Sequence, residues 1–176
     1  MSSRPVILLT MCFALSCSFA GVARAQAQPP GSPDAPIPAQ ILSARKVFIS
    51  NGGADIDPDI GLLGDFLGLP ARPYNQFYAS MKAWGRYELV STPSDADLIF
   101  EINFGLSRFP GRDAVAKFRL RVLDPKTGVL LWPFTEYVQG AFLKGNREKN
   151  FAAGMASILA DVKWLASLSG TAPPNN

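Results

Sequence analysis

Two neighbouring segments fix most of what this 176-residue chain can fold into. In residues 98–104, Leu98, Phe100, Ile102 and Phe104 alternate with Ile99, Glu101 and Asn103. In residues 115–123, Ala116, Phe118, Leu120 and Val122 alternate with Lys117, Arg119 and Arg121. Successive side chains of a strand point to opposite sides. Each segment therefore predicts a strand with one apolar face and one mixed or polar face. A sheet made of such strands needs covering on one side only.

The rest of the chain supplies that cover. Tyr74, Phe77, Tyr78, Met81 and Trp84 recur at helical spacing before Gly85, which predicts a helix over 74–84. From about Arg147 to Leu168 a second stripe is formed by Phe151, Met155, Ile158, Leu159, Val162, Leu165 and Leu168. This helix is expected to dock on the even-numbered face of strand 98–104. A first strand, Lys46 to Ser50, is expected to stop at Asn51-Gly52-Gly53. An Asp- and Gly-rich insertion, residues 51–73, follows it. A second strand runs from Tyr87 to Ser91 and stops at Pro93, with a turn over Ser94 to Asp97. Residues 107–113 read as a Pro/Gly loop. Asp124-Pro125-Lys126-Thr127-Gly128 signals a hairpin turn, since proline presets one position and glycine accepts positive φ. The chain returns through Val129 to Phe134, with a further strand from Glu136 to Phe142; Pro133 either interrupts this return or marks a sheet edge. The expected fold class is α+β, a two-layer sandwich. One mixed or antiparallel sheet of about five strands carries two main helices on one face, in the order strand-helix-strand-strand-hairpin-helix.

Residues 1–25 read as an export signal. Arg4 precedes an apolar run from Val6 to Ala20, and Ala23-Arg24-Ala25 gives an A-x-A cleavage pattern before Gln26. The run is shorter than the roughly 20 residues a spanning helix needs. Cys17 follows Ala14-Leu15-Ser16, which faintly resembles a lipobox, so a lipid anchor at Cys17 is the alternative to cleavage after Ala25. Residues 26–40 contain five prolines in fifteen positions and read as a flexible tether. A single domain is expected over 41–169, with a disordered tail at 170–176.

Cleavage changes the chemistry that remains. Cys12 and Cys17 are the only cysteines, so residues 26–176 contain none and no disulfide is expected. Taking Arg4 and Arg24 from the 17 basic residues leaves 15 against 14 acidic ones. A near-neutral chain has no electrostatic reason to seek nucleic acid. The sequence has no histidine, which excludes Ser-His-Asp and Cys-His nucleophilic systems and removes most zinc ligands.

The remaining candidate sites are weak. Asp55, Asp57 and Asp59 have the spacing of a calcium loop, but Ile60 and Phe66 stand where glycine and glutamate are required. Gly61, Gly64 and Gly68 fit neither a phosphate loop nor GxGxxG and read as turn glycines. Asp95 and Asp97 stand in a turn where aspartate bonds the local backbone. Tyr74, Tyr78, Trp84, Trp132 and Tyr137 have core spacing, with a ligand groove as the alternative. Lys144, Arg147 and Lys149 precede or open the last helix, as a solvated loop or a small anion-contacting patch. The row Lys117, Arg119 and Arg121 beside Glu101 reads as a solvated face with cross-strand ion pairs, and alternatively as a partner-docking face. Leu62, Leu63, Phe66 and Leu67 would favour a protein partner if they formed an exposed patch. No catalytic residue, cofactor-binding residue or metal ligand is assigned.

The block Gly85-Arg86-Tyr87-Glu88-Leu89-Val90, then Asp95-Ala96-Asp97-Leu98-Ile99, then Phe118 to Trp132 around Asp124 and Gly128, then a closing helix, resembles small bacterial cell-envelope domains. These are the amino-terminal domain of TolB and the CsgG-like and LpoB-like periplasmic domains. The resemblance covers roughly residues 46–168 and implies a domain that assembles or recruits partners and is not known for catalysis. The expectation is a non-enzymatic, exported cell-envelope protein, periplasmic or secreted, that acts through protein contacts with an envelope partner. A periplasmic small-ligand-binding module is the alternative, and a histidine-free hydrolase using carboxylates is third.

Overall fold

In a computed structural model of the chain, the structure describes residues 36–57, 71–107, 115–141 and 143–168. All of them lie in one compact unit. A short helix α1 (Ala39–Ser43) leads into strand β1 (Lys46–Ile56). Helix α2 (Ala71–Trp84), strand β2 (Glu88–Leu89) and a 3-10 turn (Pro93–Asp95) follow. Strands β3 (Leu98–Ser107), β4 (Val115–Leu123) and β5 (Leu130–Val138) precede the closing helix α3 (Lys144–Ser167).

The five strands form one mixed sheet in the order β2-β1-β3-β4-β5. β1 is parallel to β2 and β3, and the β3–β4 and β4–β5 pairs are antiparallel. The α+β class and the strand count agree with the patterning. The alternation in β3 and β4 sets the register: Phe100 faces Val122, Ile102 faces Leu120 and Phe104 faces Phe118. All six are almost fully buried on the helix-covered side.

β1 does not stop where the glycines stand. It runs six residues past Ser50 because Asn51-Gly52-Gly53 forms a bulge, with a register shift between Asn51 and Ala54. Gly53 sits at φ 77°, where a side chain would be strained, and its N–H donates to Asn51 Oδ1 at 2.9 Å. The Asn103 side-chain amide donates to the Gly52 carbonyl at 2.9 Å and ties the bulge to β3. Asp55 therefore belongs to a strand and not to a loop.

β2 is also shorter than the pattern over 87–91. Only Glu88 and Leu89 pair, although the Val90 N–H still donates to the Val47 carbonyl at 3.0 Å. Parallel neighbours joined through a full crossover need a dozen or more residues. Here the brief β2 lets residues 90–97 swing back past the start of β1 and enter β3. Asp97 fixes that return: its Oδ2 accepts the backbone N–H groups of Arg45 and Lys46, each at 2.8 Å.

The return strand of the hairpin is continuous. β5 pairs with β4 from Leu130 to Val138, with one irregularity at Val122/Leu123, and Pro133 sits opposite Arg121 without breaking it. Among the described strands β5 ends the sheet, and an edge is where a missing N–H is tolerated. Phe142 lies outside the described residues.

The two helices divide the apolar face. α2 covers β1 and β3, bringing Phe77 within 6.5 Å of the Phe100 ring. α3 packs chiefly on β5 and β4 and not centrally on β3, which corrects the expected docking. Its Phe151 ring reaches both β3 and β4, with its centroid 5.5 Å from that of Phe104 and 4.9 Å from that of Phe118. The reason is Gly154: a Cβ there would lie 2.9 Å from Val138 Cγ2 and 3.1 Å from the Phe118 ring. Its bare backbone lets the helix settle against the edge strand. Of the expected stripe, Phe151, Met155, Ile158, Val162 and Leu165 are buried, whereas Leu159 and Leu168 are only half-buried.

Candidate functional site

The uncovered side of the sheet is an ordered polar surface. The register aligns Glu101 with Arg121, Asn103 with Arg119, and Gly105 with Lys117 across β3 and β4. On β5 the rows continue as Pro133, Thr135 and Tyr137. Arg121 Nη1 donates to Glu101 Oε1 at 2.9 Å. Arg119 donates to Asn103 Oδ1 at 3.0 Å and pairs with Asp55, reaching across β3 where Gly105 offers no side chain. The expected cross-strand ion pairs of this face are therefore present. Such exposed pairs are each worth about 0–1 kcal/mol.

Among the described residues, large apolar side chains are exposed around β5, at Leu143 just before α3 and at Tyr78 on α2. Val129 is 57% exposed, Leu130 45%, Tyr137 67% and Leu143 69%. Tyr137 stands on the open face in line with Lys117, while Leu130 begins the same strand and Val129 immediately precedes it. An edge strand carries unpaired main-chain donors and acceptors, and apolar side chains beside them make it a template for another chain.

The other candidates do not converge. Asp55 pairs with Arg119, the Asp57 N–H donates to the Leu106 carbonyl, and Asp59 lies outside the described residues. Among the described residues no three His, Cys, Asp or Glu side chains group so as to hold a metal ion. Gly61, Gly64 and Gly68, and the segment with Leu62, Leu63, Phe66 and Leu67, also lie outside them. Asp95 accepts the Thr92 hydroxyl at 2.5 Å, whereas Asp97 binds the start of β1. Neither side chain bonds the local backbone as expected: Asp95 takes a side-chain hydroxyl, and Asp97 takes backbone N–H groups of a segment distant in sequence. Those backbone donors hold the Asp97 carboxyl below the usual aspartate range.

The aromatic residues occupy three places. Tyr74, Tyr78 and Trp84 lie on α2, with Trp84 edge-on to Tyr87 at 5.6 Å. Trp132 is on the helix-covered side of β5, opposite Val122, and Tyr137 is on the other side. Lys144, Arg147 and Lys149 fall in the first two turns of α3, which begins three residues before Arg147. Arg147 Nη1 donates to the Ala141 carbonyl at 3.3 Å. Nearby, Arg72 grips Glu148 through two hydrogen bonds, at 3.1 and 2.5 Å, and stacks 4.1 Å above the Phe151 ring. That clamp joins the start of α2 to α3 and holds the Glu148 carboxyl low.

One pair escaped the sequence reading. Glu136 lies opposite Phe118, so it belongs to the apolar, helix-covered side of β5, between Phe134 and Val138. Across the seam Asp161 of α3 faces it within hydrogen-bonding reach, flanked by buried Ile158, Val162 and Leu165. Burial pushes both carboxyl groups up, and the charge of Asp161 raises Glu136 further. Two like charges so placed repel, so the second ionises less readily than the first. The signal lay in the alternation Trp132, Phe134, Glu136, Val138, which puts one acid in an apolar row.

No protein-family model matches the chain, and no curated protein matches it. Among solved structures it is similar to the PelC dodecamer from Paraburkholderia phytofirmans, at 12% identity and a TM-score of 0.43 over 72% of this chain and 92% of that one. It is also similar to the uncharacterised lipoprotein B from Nitrosomonas europaea, at 12% identity and a TM-score of 0.39, covering 78% of this chain and 91% of that one. A lipoprotein from Neisseria meningitidis aligns at 12% identity and a TM-score of 0.34, over 66% of this chain and 99% of that one. Among the described residues no helix is long and apolar enough to cross a membrane.

Proposed function

We propose that this chain is an exported, non-enzymatic component of the bacterial cell envelope that works through protein contacts, and that the β5 edge with its adjoining open face is the contact surface. The observation that carries the reading is the exposure of Leu130 and Tyr137 on β5, and of Val129 just before it, on the strand that ends the sheet among the described strands. Those side chains leave apolar area in water beside the outer edge of the last described strand, and a partner strand or loop would cover both. The export pattern of residues 1–25 supports a destination outside the cytoplasm, with cleavage after Ala25 or lipidation at Cys17 as the two forms of the mature chain. The resemblance to TolB amino-terminal, CsgG-like and LpoB-like domains supports recruitment over bond-making.

The test is photo-cross-linking in intact cells. A photoreactive residue in place of Tyr137 is expected to give a discrete adduct with an envelope protein. The same residue in place of Lys82, exposed on α2, is expected to give none. No adduct from position 137, or equal adducts from both positions, would contradict the reading.

A further inference from the structure

We infer that the seam between α3 and β5 is a proton-operated latch: protonation of the Glu136–Asp161 pair locks the closing helix onto the edge strand, and ionisation of both acids loosens it. The latch does not depend on the contact surface proposed above. Its first support is position. The register puts Glu136 opposite Phe118 on the covered side of β5, the side against which α3 packs. Asp161 lies on α3 next to Val162, which is buried in the same core. The close approach of the Gly154 backbone to Val138 sets the helix over this strand, which brings the two half-buried acids to the same seam. Two like charges on either side of it repel, so ionising both costs more than ionising one.

The second support is the surroundings. Lys117, Arg119 and Arg121 of β4 point to the opposite side of the sheet. On α2, Arg72 is engaged with Glu148, and Lys82 is exposed in the last turn. On α3, Lys163 lies 5.6 Å from the Trp84 ring, on the side of α2. Burial and the partner acid are the causes that act on Glu136 and Asp161, with no cation among them. An acid pushed up in the folded state stabilises least where it is ionised. The contribution is fully present below the ordinary carboxyl range and is lost as the pH rises through the raised folded values. Asp97 and Glu148 are held low and titrate in the opposite sense, losing their contribution as the pH falls. A whole-molecule melting curve therefore mixes opposing effects, and only a local readout isolates the seam.

That readout is amide hydrogen exchange by mass spectrometry on the full chain, corrected for intrinsic exchange. It is to be measured at about pH 4.5 and about pH 7.5, a span that rises from the ordinary carboxyl range. Peptides from residues 130–138 and 155–167 are expected to exchange several-fold more slowly at the lower pH. Glu136→Gln and Asp161→Asn, which preserve shape, are each expected to hold the slow exchange at both values. An unchanged wild-type seam, or a wild-type pH response retained in both variants, would overturn the latch.

Discussion

The two faces of one sheet hold their residues by different physics. On the covered face Val47, Phe100, Ile102, Phe104, Phe118, Leu120 and Val122 have almost no exposure, and rings from α2 and α3 meet them with centroids 6.5 Å and 4.9 Å apart. On the open face the same strands present Glu101, Asn103, Lys117, Arg119 and Arg121, and the Arg121–Glu101 and Arg119–Asn103 hydrogen bonds are made at or near the surface. Burial is worth about 1.5–3 kcal/mol for each large apolar side chain, an exposed ion pair about 0–1 kcal/mol. The covered face therefore supplies stability, and the open face is free to be selected for what it touches.

Substitutions on the two faces sharpen that contrast. Phe100→Asp or Ile158→Asp places a charge where nothing can solvate or pair it, and loss of soluble folding is expected from either, seen as absent cooperative melting by circular dichroism. Leu159→Asp is milder, because Leu159 is only half-buried. A smaller effect is expected for Gly154→Ala, since the added methyl meets Val138 and Phe118 at under 3.2 Å: a loss of about 1–3 kcal/mol in denaturant unfolding. Smallest is Arg119→Ser on the open face, expected to change stability by no more than about 0.5 kcal/mol despite removing the Asp55 and Asn103 contacts. A large loss from Arg119→Ser would erase the distinction between the faces.

The parts of the fold that were legible are those where one residue type has one consequence. Strict alternation over 98–104 and 115–123 has no helical solution, so β3 and β4 follow from it directly, β4 to the residue. Asp124 to Gly128 likewise has one economical geometry, with the Gly128 N–H donating to the Asp124 carbonyl at 2.8 Å. The misreadings arose where a residue type serves two ends. Asn51-Gly52-Gly53 suits a turn and a bulge equally, and only the pairing of Asp55 and Ile56 with β3 selects the bulge. The docking of α3 depends on a small residue, Gly154, whose meaning appears only when Val138 is opposite it. The site was less legible than the fold. The open-face charges followed from alternation, but the exposure of Tyr137 depends on which strand ends the sheet. Glu136 was visible as an acid in an apolar row, whereas Asp161 is an ordinary helix residue until the two elements meet.

The central claim is that the β5 edge contacts a partner while adding little to stability. The most direct test joins both properties in one protein, the variant Val129→Ser, Leu130→Ser, Tyr137→Ser, with a photoreactive residue placed at the neighbouring Lys117. The account predicts a melting midpoint close to that of the parent and loss of the covalent adduct formed in cells. An adduct that persists undiminished in a folded triple variant would contradict it.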